Sequence, residues 1–259
     1  MSVLPTNNWL KTADRREDLL KKIYRYFPDR GEREVNHTLT SFGMFKTMNN
    51  VSDWLARAEE QGYWKTVKLE ERRLIKEWDG PDTTVFILPN DHTNSVIQKE
   101  YNGKAGLAFH DKLFLFLSKD CKKKDIQAII THEYNHVCRL ARDPKDEKDY
   151  TLIDTIILEG MAENAVRVRL GEESVSPWAS AYSDKQLTYF YKEIILPNDQ
   201  LTRAERRFPQ VMFGTGFYPK MVGYAVGYYI VKNFMKKEGA TIKSLLTTKS
   251  EEIINSLML

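Results

Sequence analysis

The chain has 259 residues, 42% hydrophobic and 29% charged, with 12 Phe, 13 Tyr and 5 Trp, which is ordinary for a folded protein with ample material for a core. Its net charge is only +3, from 39 basic against 36 acidic residues, and that balance argues against a nucleic-acid partner. The run Lys122-Lys123-Lys124 is short and reads as a solvated face.

Two cysteines, Cys121 and Cys138, make no disulfide framework and fit a reduced setting. The first residues lack the basic start and apolar run of a signal peptide. The longest apolar candidate, Met221 to Val231, is too short to span a bilayer and carries three tyrosines. The expectation is a cytoplasmic protein without a membrane span.

Leu20, Ile23, Tyr24 and Phe27 fall at i, i+3, i+4 and i+7 and predict a helix over 14–27, stopped by Pro28. A second helix is expected from near Ser52, through Trp54 and Leu55, to Gly62, and a third over 68–78. Thr84-Val85-Phe86-Ile87-Leu88, closed by Pro89, reads as a strand. Leu113-Phe114-Leu115-Phe116-Leu117 reads as another, and the polar segment 90–106 between them as loop. From residue 121 the pattern is helical again. A helix over 123–142 holds Ile126, Ile129, Ile130, Val137 and Leu140 and ends at Asp143-Pro144. A charged connection, Lys145 to Asp149, leads to a helix over 150–170 ended by Gly171. Further helices are expected near 184–195 and 218–237. The order of helices, small sheet and helices predicts an α+β fold, mostly helical, in one unit of two lobes. Residues 1–80 form an N-terminal helical region packed on a core formed by 81–259.

The chemistry is concentrated in His132-Glu133-Tyr134-Asn135-His136, an H-E-x-x-H sequence inside a predicted helix. Residues i and i+4 share a helix face, so both imidazoles can point at one ion. Zinc accepts His nitrogen at ~2.0–2.1 Å in a tetrahedral shell. Glu133 lies about 100° round the helix from His132. There it sits beside a metal rather than on it, placed to take a proton from water.

Catalytic zinc needs a third protein ligand and keeps a fourth position for water. No histidine follows His136, so a third His is excluded. Peptide deformylases carry the same pentad with an upstream cysteine ligand, and no suitable cysteine exists here. The next helix offers Leu152, Ile156, Glu159, Glu163 and Val166 as one stripe. Two carboxylates on an inward, otherwise apolar face are costly unless paired or ligated. A short connection packs the two helices antiparallel and brings the stripe back over the histidines. Glu159 is the expected third ligand of one zinc ion per chain. Glu163 is expected to accept the second ring N–H of a ligand histidine, although the two glutamates could exchange roles.

His132-Glu133-Tyr134-Asn135-His136 followed by Glu159-Gly160-Met161-Ala162-Glu163 resembles the gluzincin metallopeptidases. More narrowly, the region 80–259 looks like the YjaZ-type predicted zinc-dependent proteases of bacilli, with a glycine-tyrosine pattern near 223–229. The resemblance implies a zincin-like fold: a small sheet beside the H-E-x-x-H helix and a helical C-terminal lobe. It implies a peptidase acting on a peptide or protein, with zinc on His132, His136 and Glu159 and Glu133 as general base. By the same analogy Leu113 to Leu117 would be an edge strand able to pair with an extended peptide. Gluzincins commonly supply a Tyr or His from a later helix to the developing oxyanion. Tyr218, Tyr224 and Tyr228 are available here, and Tyr224 is favoured. Gly223 and Gly227 make one side of that helix small, suited to close packing on the metal-bearing helices. The rival readings are a zinc-binding, non-catalytic or regulatory module, and a helical protein whose motif is accidental.

Overall fold

The computed structural model describes residues 3–101 and 103–256. Five helices come first: α1 (Thr6–Lys11), α2 (Arg16–Tyr24), α3 (Glu32–Ser41), α4 (Val51–Glu60) and α5 (Tyr63–Trp78). Then follow β1 (Thr84–Pro89), α6 (Ser95–Glu100), β2 (Lys104–Ala108) and β3 (Lys112–Leu117). The rest is helical: α7 (Lys123–Arg142), α8 (Leu152–Leu170), α9 (Asp184–Phe190), α10 (Arg207–Phe213), α11 (Val222–Glu238), α12 (Ile242–Leu245) and α13 (Ser250–Asn255). The architecture is mostly helical with one small sheet, an α+β arrangement. By its internal packing the chain divides into residues 1–137 and 138–259, and the division falls inside α7. None of the described helices is long and apolar enough to cross a membrane.

In the first unit, β1 and β3 run parallel, β2 runs antiparallel to β3, and the strand order is β1-β3-β2. This corrects one expectation. Leu113 to Leu117 is the central strand, not an edge, and every residue of β3 is buried. An unbroken apolar run without alternation is what a strand covered on both faces requires. Phe86 of β1 and Phe114 of β3 stack with ring centroids 4.2 Å apart.

The segment 90–106 is likewise not plain loop, since it holds α6 and the start of β2. Lys104-Ala105-Gly106-Leu107-Ala108 escapes a propensity reading because it lacks β-branched and aromatic residues. Pairing with β3 makes it a strand. The sheet's other edge is closed by the N-terminal residues. Val3 bridges Val85 in parallel, and the Leu4 N–H donates to the Val85 carbonyl at 3.0 Å. The Thr6 hydroxyl donates to the Ile87 carbonyl at 2.6 Å, and the Phe45 N–H to the Pro89 carbonyl at 3.2 Å.

The second unit is built on α8 and α11. Thr151 caps α8 in a reciprocal box with Asp154. Gly160 of α8 lies against the backbone of Gly227 on α11, and Gly227 lies in turn against the carbonyl of Ile156. A β-carbon at either glycine would overlap backbone atoms of the other helix, so glycine sets the depth of this crossing. Gly223 packs instead on Met212 of α10. Buried Asn164 fastens the pair, donating to the carbonyls of Gly160 (2.8 Å) and Tyr228 (3.0 Å).

Candidate metal centre

The pentad His132 to His136 lies within α7. The helix starts where Asp125, its third residue, turns back to accept the Lys122 N–H at 2.9 Å, the returning half of a capping box. Its core face is set by Ile130, Tyr134 and Val137, all fully buried. Tyr134 stacks on Trp78 at 6.1 Å and donates its hydroxyl to the Pro81 carbonyl at 2.8 Å. With that side fixed inward, the 3.6-residue period turns His132 and His136 to another face together. Their rings meet edge to face, with centroids 4.7 Å apart. His136 and Glu133 are buried, while His132 is half-buried.

Along α8, every residue from Thr155 to Val166 is buried except Glu159, which is half-exposed. His132, His136 and Glu159 each offer one ligand atom, and these atoms all lie within 4.8 Å of one another. Two imidazole nitrogens and one carboxylate oxygen are a donor set that fits zinc. The group could therefore hold a metal ion.

Glu133 has a neighbour that sequence reasoning missed. Gly106 of β2 lies so close that a β-carbon there would overlap Cγ, Cδ and Oε1 of Glu133. A glycine inside a strand often marks such an approach. That signal is readable only once β2 is recognised as a strand.

The other expected residues lie as follows. Glu163 is buried, and its Oε1 accepts the Ser176 N–H. The Tyr228 hydroxyl donates to Glu172 at 2.9 Å, and Lys232 pairs with the same carboxylate at 3.0 Å. Burial and Glu172 together raise the Tyr228 pKa above the ordinary phenol value. The Tyr218 hydroxyl accepts from Arg207 Nε at 3.0 Å. Tyr224 is half-exposed, its ring 5.2 Å from Trp178 and 5.9 Å from Phe213. Cys121 and Cys138 are both buried and are not joined in a disulfide. Burial pushes the Cys121 thiol up to about 12, so at neutral pH it is not the thiolate a metal binds.

Two histidines and a glutamate that lie together in this way could hold a metal ion. Residues 63–255 match the family described as "Predicted Zn-dependent protease (DUF2268)", and the chain belongs to that family. It is 39% identical over 262 residues to "Uncharacterized protein YjaZ" of Bacillus subtilis (strain 168), covering both chains in full. It is also 29% identical over 141 residues to "Uncharacterized protein YjfC" of the same organism, covering 50% of this chain and 46% of that one. No solved structure gives a significant match.

Proposed function

We propose that the protein is a zinc-dependent peptidase of the gluzincin type, with a zincin-like fold and one zinc ion per chain. The observation that carries this reading is the convergence of His132, His136 and Glu159, with Glu133 one residue from the first ligand. A zinc ion held there would supply Lewis acidity to a water and to the scissile carbonyl. Glu133 takes the proton of the attacking water and hands it to the leaving amine. Tyr224 donates a hydrogen bond to the oxyanion that develops on the carbonyl. The Tyr228 hydroxyl already donates to Glu172, which sets that residue aside from the role. Glu163 holds a ligand histidine in the required tautomer, and the Ser176 N–H steadies its carboxylate.

The substrate is a peptide or protein. The β1 edge of the sheet is occupied by residues 3–6 and 45, whereas β2 pairs with β3 alone among the described strands. An extended peptide added to β2 would run past Glu133. Residues 81–259 carry the chemistry, and residues 1–80 pack on them. Two buried cysteines that are not joined in a disulfide favour a cytoplasmic setting.

Glu133→Gln keeps the size of the side chain and removes its basicity. The variant should retain zinc and lose ~10²–10⁴-fold in turnover of a broad peptide library. Turnover near the native rate would sink the role of Glu133. A zinc-loaded native protein that cleaves nothing in the library would be a non-catalytic zinc module.

A further inference from the structure

Gly106 is not required by the backbone. The glycines with left-handed φ include Gly43, Gly62 and Gly103 but not Gly106, so an L-residue could adopt its conformation. It is not a turn residue either, since it sits in the middle of β2, opposite Leu115 of β3. What it lacks is room. The face of β2 that it shares with Lys104 is turned to α7: Lys104 reaches Asp125 in the first turn at 3.4 Å, and Gly106 meets Glu133 two turns on. Ala105, on the alternate face, is instead the neighbour of Gly43. The atoms a β-carbon would strike are the far end of one flexible side chain, Cγ, Cδ and Oε1 of Glu133. The collision is therefore relieved by moving the carboxylate and not by moving the strand.

We propose that Gly106 is a positioning residue, its absent side chain being the recess that fixes the Glu133 carboxylate. This rests on the peptidase reading only for its kinetic consequence, since the steric claim concerns two residues of the chain itself.

The test is Gly106→Ala, read by metal content, crystal structure and kinetics. The variant should fold and take up zinc as the native protein does, because the nearest atoms a β-carbon would strike belong to Glu133 and not to His132, His136 or Glu159. Its Glu133 carboxylate should be displaced in the crystal structure of the zinc-loaded protein. Its kcat should fall about 100-fold, as for a reacting group misplaced by ~1 Å, with KM within about twofold of native. A carboxylate in its native place, or an undiminished kcat, overturns the proposal. If the native protein cleaves no peptide, the functional reading fails, and the crystal structure alone still decides the steric claim. If Gly106→Ala does not fold, the double variant with Glu133→Ala removes the collision and should melt at the temperature of Glu133→Ala alone. A double variant as unfolded as the single would overturn the proposal.

Discussion

Single residues mark the candidate metal site, and one residue outside it gives stability a pH dependence. The spacing of His132, Glu133 and His136 was legible because helix geometry fixes which side chains share a face. Glu159 was legible because a carboxylate within an apolar stripe calls for a partner. Gly106 was not, since its meaning depends on a strand 27 residues from Glu133 in sequence. Asp154 gives a prediction of another kind. Burial opposes its ionisation, but the Lys145 ammonium and the Thr151 donors outweigh burial and hold the carboxyl below the usual range. Because the folded pKa is lowered, ionised Asp154 contributes stability that is fully present above ~3.9. That stability is lost as pH falls through the lowered value. Asp154→Ala should cost about 1 kcal/mol at neutral pH through the lost cap. Urea unfolding should show the difference between variant and native narrowing below about pH 4; a difference independent of pH would contradict the assignment.

At the scale of elements, the crossing of α8 and α11 governs where Glu159 sits. The small side that Gly223 and Gly227 give α11 could be read from spacing. Spacing alone did not say that the two glycines face different helices, Gly227 on α8 and Gly223 on α10. Gly227→Ala would gain about 1 kcal/mol of helix propensity. Overpacking costs about 1–3 kcal/mol, and here the obstacle is backbone, which cannot rotate away, so the clash wins. The variant should unfold at lower urea concentration and bind zinc more weakly, measured with a competing chelator. Unchanged stability would show that the helices do not cross as closely as described. Helices escaped the sequence where few apolar residues mark them. α3 buries only Val35 and Leu39, and α1 is a single short stretch of 6 residues. The strand order also escaped it, because β1 and β3 pair across 28 residues of chain and local pattern says nothing of neighbours.

At the scale of the whole molecule, the N-terminal residues act on the sheet. The family match begins at residue 63, yet residues 3–6 supply the partners that close the β1 edge. An open edge of buried apolar residues is a template for pairing with another chain. Deleting residues 1–10 should leave the carbonyls of Val85 and Ile87 without these donors and drive self-association, visible by light scattering. A monodisperse product of unchanged size would count against that role. The order of helices, sheet and helices was legible from composition and periodicity, whereas this closure is a long-range contact that no local pattern announces.

The central claim is that His132, His136 and Glu159 hold one zinc ion. It is tested most directly by metal content, measured by plasma mass spectrometry on protein purified without chelator or histidine tag. About one zinc per chain in the native protein, lost in His132→Ala, is the predicted result. A native protein that carries no metal and takes up none from added zinc would contradict the account.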